Sequence, residues 1–166
     1  MDAALLRMNI RSFTDHAVRQ ESVRQLLQAA MAAHSEGDER PWHFVVIEDA
    51  AVRERIADVH PYAHMVPQAP LAILVCGDLT LQKHAGFWVQ DCAAATENIL
   101  LEAQSLGLGA VWLGIYPIEG RVQNFRKLLA LPSHLVPFAL TAIGYPAEQN
   151  GLRSRYDESR VHFGRW

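Results

Sequence analysis

Arg7 and Arg11 stand four residues apart near the start of the chain. That spacing puts two guanidiniums on one side of a short helix or of its end. Such a pair could hold a phosphate, each charge-assisted bond contributing roughly 1.5–3 kcal/mol. Arg153 and Arg155 form a second pair. Read in isolation, either pair is more simply two solvated surface arginines. Eight histidines raise the question of metal, and His60 and His64 have the i, i+4 spacing that can clasp zinc. Pro61 interrupts that spacing and no third ligand is obvious, so no metal site is expected. Cys76 and Cys92 form no CxxC pair and read as free, buried, small apolar residues.

The glycines Gly107, Gly109 and Gly114 invite a dinucleotide reading, which fails twice. The third glycine is misplaced for GxGxxG. The order is also helix, glycines, strand, whereas a phosphate cradle needs strand, glycines, helix N-terminus. Gly107 and Gly109 read instead as a helix stop and a tight strand entry. Neither a P-loop nor a GxSxG elbow is present.

The elements that must position these residues follow from hydrophobic periodicity. Residues 2–9 suggest a short helix and 15–18 a turn. Over 20–33, Val23, Leu26, Leu27, Ala30 and Met31 recur at helical spacing. A polar loop over 34–41 leads to a strand over 42–48 rich in Phe, Val and Ile. Residues 50–58 read as an exposed helix with Arg53, Glu54 and Arg55 on its outer side, and 60–67 as irregular. The apolar run 71–76 is expected to be a central strand. Residues 87–106 form the longest helix, and Ala93, Ala94 and Ala95 let another helix approach it closely. A strand over 110–116, an amphipathic helix over 119–130 stopped before Pro132, and a strand over 136–145 complete the pattern. The remainder, 146–166, is polar and Arg-rich with Tyr156, Phe163 and Trp166. Those aromatics need something to pack against, and a second subunit is the candidate.

Composition bounds the function. One domain spanning 1–166 is expected at 166 residues and 18.6 kDa. It should bury roughly 70% of its unfolded surface, enough to fold without disulfide or metal. Half of the residues are hydrophobic and 20% charged, a globular composition. A net charge of −3 and a pI near 6.2 argue against a broad nucleic-acid footprint. The most apolar region, 92–116, is broken by Glu97, Asn98 and Glu102, so no membrane span is read. Met1-Asp2 lacks a basic start and Leu5-Leu6 runs straight into Arg7, so no secretory signal is read and a cytoplasmic location is expected.

Several segments, taken in order, are more telling together than singly. Residues 7–13 (RMNIRSF) are similar to an RRSxRxF signature, and 29–42 (AAMAAHSEGDERPW) to an AAxxAPSxxNxQPW block. Ala69-Pro70, the run from Asn98 through Gly107-Leu108-Gly109 to Trp112, Pro117-Ile118-Glu119-Gly120, Gly144-Tyr145-Pro146 and residues 153–157 follow at matching spacing. Along nearly its whole length the chain resembles the nitroreductase family of FMN-dependent homodimeric oxidoreductases.

The resemblance implies an α+β fold with a mainly antiparallel central sheet, helices on both sides and an intertwined homodimer. The tail over 146–166 would pack on the partner subunit, and FMN would lie between the two chains. By carry-over, Arg7 and Arg11 would grip the flavin phosphate and ribityl chain, with Met8 and Asn9 lining the same segment. Arg153 and Arg155 would complete the phosphate clamp. Ser35, Gly37 and Asp38 would come from the partner subunit. The backbone around Leu113, Gly114, Glu119 and Gly120 would face the isoalloxazine ring. The implied activity passes two electrons from NAD(P)H through flavin N5 to a nitroaromatic, quinone or similar acceptor. No protein general acid or base is assigned, because the flavin carries the chemistry.

Three departures from the family pattern stand out, at four positions. Met8 and Asn9 replace a basic residue and a serine, His34 replaces a proline, and Asp38 replaces an asparagine. A carboxylate at 38 can accept a ribityl hydroxyl but cannot donate to a flavin carbonyl. Glu36 and Glu39 add negative charge to that loop unless Arg40 or His34 neutralises it. These departures motivate an alternative, a flavin- or ligand-binding dimeric module with little turnover. A flavin-modifying or iodotyrosine-type branch ranks last, since no long lid insertion is evident.

Overall fold

A computed structural model describes residues 3–148, 151 and 155–166. Five α-helices and four strands alternate along it: α1 Ala3–Leu6, α2 Gln20–Met31, β1 Trp42–Ile47, α3 Ala50–Val59, β2 Leu71–Asp78, α4 Trp88–Ser105, β3 Gly109–Gly114, α5 Glu119–Leu128 and β4 Leu135–Gly144. The strands form one antiparallel sheet in the order β1-β2-β4-β3.

β2 pairs on both edges, which explains why its eight residues are all buried. Its side chains divide by strand alternation. Leu71, Ile73 and Val75 face one core with Val23, Leu26 and Ala30 of α2 and Cys92, Ala95 and Ile99 of α4. Ala72, Leu74 and Cys76 face the other core with Ile56 of α3 and Val122 and Phe125 of α5. The sheet is therefore a layer between two helical layers, and both cysteines are buried. Burial pushes the Cys76 thiol up to about 12.

Local sequence sets the element ends. The Asp49 carboxylate caps α3, accepting from the N–H of Ala51 at 2.8 Å and of Val52 at 3.3 Å. Gly107, at φ 71°, ends α4: Leu108 N–H donates to Ala103 O at 2.8 Å and Gly107 N–H to Gln104 O at 3.2 Å. That pair of bonds is a Schellman stop, and it needs the left-handed residue glycine supplies. α2 packs along α4, and Asn98 Nδ2 of α4 donates to Ala29 O at 2.9 Å.

The expectation for the α3 region needs one correction. Glu54 and Arg55 are exposed, but Arg53 is buried, and its guanidinium donates to the carbonyl of Glu48. A long stem can cross an apolar groove and still deliver its donors to a strand end. The N-terminal reading also changes: α1 ends at Leu6, before Arg7, and residues 9–13 run extended, bridging Asn9 to Ala110 and Phe13 to Pro146.

Candidate functional site

β3 is the rail on which the site is built. At its start, Ile10 N–H donates to Ala110 O at 3.0 Å, seating the N-terminal segment alongside the strand. Gly109 permits this, because a Cβ there would lie 2.6 Å from Ile10 Cγ2. Arg7 is half-buried, its Nε 3.0 Å from Glu97 Oε1 on α4, and its Nη1 donates to Asn9 Oδ1 at 3.3 Å. Met8 is half-buried and Asn9 exposed. Arg11 keeps an exposed side chain, while its backbone N–H and that of Ser12 both donate to Glu148 Oε1, at 2.5 and 3.1 Å. The two arginines thus differ: Arg7 is ion-paired and Arg11 projects outward.

The far end of β3 lies four residues on, about 13 Å away at strand rise. Pro137 has no N–H to give the β2–β4 ladder, and a bulge falls beside it: Val75 pairs with Ala139 and Cys76 with Pro137, leaving Phe138 over. The freed Phe138 carbonyl accepts from the N–H groups of both Ile115 and Tyr116, at 3.1 and 3.0 Å. This turns the chain out of β3. Leu113 is buried, and the carbonyl of Gly114 accepts from His60 Nε2 at 2.9 Å and Arg121 Nη1 at 2.8 Å. Glu119 and Gly120 are exposed at the first turn of α5, where backbone N–H groups have no intrahelical acceptor. A Cβ built on Gly114 or on Gly120 would meet no atom within 4 Å. The backbone there borders open space.

The third component is the loop after α2. Ser35 is buried, and its Oγ accepts from Arg40 N–H at 3.1 Å. Glu36 N–H donates to Asp91 Oδ1 on α4 at 3.1 Å. Burial pushes the Asp91 carboxyl up; the Glu36 N–H opposes this, while the Glu39 and Glu36 carboxylates add to it. Gly37, Asp38 and Arg40 take positive φ of 54°, 55° and 48°, a tight reversal held by these bonds. Gly37 and Asp38 are exposed. Arg40 grips the Asp38 carboxylate through Nε at 2.7 Å and Nη2 at 3.1 Å. Glu39 is held by His84, whose backbone N–H and Nδ1 both lie 2.8 Å from Glu39 Oε1. Of Arg40 and His34, the two residues expected to neutralise this loop, Arg40 pairs with Asp38, while Glu39 is hydrogen-bonded by His84.

A sequence profile of the nitroreductase family matches residues 5–60 and 59–145. The chain belongs to the nitroreductase family. It is 49% identical over 166 residues to a protein of Methanothermobacter thermautotrophicus named NADH dehydrogenase/NAD(P)H nitroreductase, covering 100% of this chain and 87% of that one. An NADH oxidase structure from Clostridium acetobutylicum is similar at TM-score 0.96 and 41% identity, covering 99% of this chain and 100% of that one. A Desulfovibrio desulfuricans nitroreductase solved in complex with FMN is similar at TM-score 0.84 and 36% identity, covering 97% and 93% of the two chains. The nitroreductase fold expected from the ordered signatures is the fold of this chain.

Within that nitroreductase frame, one chain brings Arg7, Met8, Asn9 and Arg11 to one end of β3, and Leu113, Gly114, Glu119 and Gly120 to the other. Ser35, Gly37 and Asp38 stand apart, tied to α4 at Asp91, six residues before the Glu97 that pairs with Arg7. Six residues are about 9 Å along a helix and about 120° around it, so the loop and Arg7 meet α4 on different faces. Arg155 stands in the exposed tail, and Arg153 lies outside the described residues.

Sequence reasoning missed His60, Arg121, Asp91, Glu97 and Glu148. His60 drew notice only for its spacing to His64. It is buried on Gly114 O while His64 is exposed, and among the described residues no group of three or more His, Cys, Asp or Glu is placed to hold a metal ion. The one available signal was Arg121, directly after Gly120. The other contacts join residues 55 to 137 positions apart, beyond the reach of local pattern.

Proposed function

We propose that this chain is an FMN-dependent NAD(P)H oxidoreductase delivering two electrons to a small acceptor such as a nitroaromatic or a quinone. The observation that carries this reading is the rail itself. Cationic side chains sit at one end of β3, and an open, glycine-bordered backbone sits about 13 Å along it. The residues fit the cofactor. Arg7 and Arg11 suit a phosphate dianion. The unfilled space at Gly114 and Gly120 suits the edge of a flat ring. The relatives named for NAD(P)H, FMN and nitroreductase activities support the same chemistry.

When bound, FMN would supply the two-electron redox chemistry that links NAD(P)H to the acceptor. The chain binds and orients. Arg7 and Arg11, with Arg153 and Arg155, hold the phosphate, and Met8 and Asn9 line the ribityl chain. The Leu113–Gly120 backbone borders the ring, and the Glu119 and Gly120 N–H groups supply donors for its electron-rich edge. Ser35, Gly37 and Asp38 serve the site of a partner subunit, consistent with their separation from their own chain's arginines. The homodimer is supported by the tail: Tyr156, Phe163 and Trp166 are 75%, 92% and 98% exposed in the single chain. Aromatics of that size want burial.

The test is to titrate the purified protein with FMN and then mix it anaerobically with NADH and with NADPH in stopped flow. Tight uptake followed by rapid bleaching is expected. Uptake without bleaching would favour a flavin-binding module, for which the engagement of Arg7 by Glu97 and of Asp38 by Arg40 speaks. A well-folded protein that takes up no FMN would end the proposal.

A further inference from the structure

The carbonyl of Gly114 takes two side-chain donors from two different elements. Arg121 reaches back seven residues, its Nη1 2.8 Å from the oxygen, and so closes the 114–121 segment on itself. His60, at the end of α3, reaches the same oxygen through Nε2 at 2.9 Å. The tautomer is fixed by its surroundings. Tyr62 N–H donates to His60 Nδ1 at 3.2 Å, so Nδ1 carries no proton and Nε2–H is the donor. His60 is buried between the rings of Tyr62 and Phe125, with centroids 6.1 and 6.2 Å away. The Arg121 guanidinium lies 5.5 Å above the Tyr62 ring, which fixes its direction.

The clamped segment is the one bordering the open space, and it runs from Gly114 at the end of β3 to the first turn of α5, which contains Gly120. An eight-residue stretch with Gly114 and Gly120 near its ends has backbone freedom to lose when a ligand orders it. We propose that His60 and Arg121 are positioning residues for the flavin ring: by holding the Gly114 carbonyl from both sides they set the 114–120 backbone before the ring arrives. This rests on the flavin reading above. Neither side chain needs to touch the flavin. The clamp removes an ordering cost from binding, and it bears on the ring end of the site, not on the phosphate end.

That last point makes the inference separable. Riboflavin has the ring and lacks the phosphate. Loss of the clamp should weaken FMN and riboflavin by the same factor, about tenfold in Kd for one well-formed buried hydrogen bond. The variants are Arg121→Met, His60→Leu and His60→Gln, each titrated with both flavins and melted to confirm folding. The glutamine amide can present a donor where Nε2–H stood, so His60→Gln should stay within about threefold of wild type. Equal losses in Arg121→Met and His60→Leu with rescue in His60→Gln are expected. Unchanged affinities, a loss confined to FMN, or no rescue would overturn the proposal. Should His60→Leu fail to melt cooperatively, the half-buried Arg121→Met decides alone. A wild-type protein that binds neither flavin removes the parent reading and this inference together. Wild-type binding with indifferent variants removes only this one.

Discussion

Ile10 rests against the bare Cα of Gly109: a Cβ there would stand 2.6 Å from Ile10 Cγ2 and 2.7 Å from its Cβ. Neither atom belongs to the end of a flexible side chain, so the N-terminal segment itself must move to admit one. We predict that Gly109→Ala costs about 1–3 kcal/mol, the usual range for overpacking, in a denaturant titration. It should also weaken FMN binding, because Arg7 and Arg11 ride on the displaced segment. Gly120→Ala makes the contrast. Its Cβ enters open space and helix propensity improves, so stability should hold or rise by up to about 1 kcal/mol while flavin affinity falls. Equal stability for the two variants would contradict this geometry.

The phosphate end gives an opposite signature to the ring end. Arg7→Ala and Arg11→Ala should each raise the Kd for FMN by roughly 10- to 150-fold, the worth of a charge-assisted contact of 1.5–3 kcal/mol, and leave riboflavin nearly unaffected. Parallel fluorescence titrations with the two ligands check it. Equal losses for both flavins would make these arginines structural.

Acid should destabilise the protein through His60. Its burial holds the imidazole below the ordinary 6.5; the bond to Gly114 opposes this, and the Arg121 charge adds to it. The unfolded chain therefore binds the proton more readily than the folded one. The His60 contribution is fully present above pH 6.5 and declines as pH falls from 6.5 toward the lower folded value. Denaturant melts across that window should show the decline, and His60→Gln should flatten it. Asp78 acts at lower pH. Burial raises its carboxyl, but bonds from Thr80 and His43 more than offset this and leave it below 3.8, so its contribution fades only as pH falls past 3.8.

Asp91 holds the Glu36 N–H while its own charge is disfavoured by burial and by Glu39 and Glu36. Asp91→Asn keeps an acceptor and removes the charge, so stability at neutral pH should be unchanged or higher. Asp91→Ala leaves a donor without its partner and should cost about 1–3 kcal/mol. Thermal melts of the two variants separate the acceptor from the charge. A larger loss in Asn than in Ala would refute the assignment.

The exposed tail leads to an assembly prediction. Removing residues 155–166 should convert a dimer to monomer in light scattering and weaken FMN binding in parallel, since Arg155 leaves with it. Replacing Phe163 and Trp166 together by Ser should raise the dimer dissociation constant while sparing the monomer fold, because both rings are almost wholly exposed in the single chain. A truncated protein that remains a holo dimer would place the interface elsewhere.

Local pattern determined a great deal. The stripe of Val23, Leu26 and Ala30, the apolar run of β2, the glycine stop at Gly107 and the strand–helix order were all legible, because periods of 3.6 and 2 and the left-handed preference of glycine act within a few residues. The ordered signatures carried the family and the arginine segment. Tertiary structure alone decided the rest. Arg53 turned inward because Glu48 O offered an acceptor. Arg7 found Glu97 ninety residues away, and the Gly114 carbonyl collected His60 across fifty-four. Buried polar groups must be matched wherever the folded chain presents a partner, and sequence separation places no limit on that match.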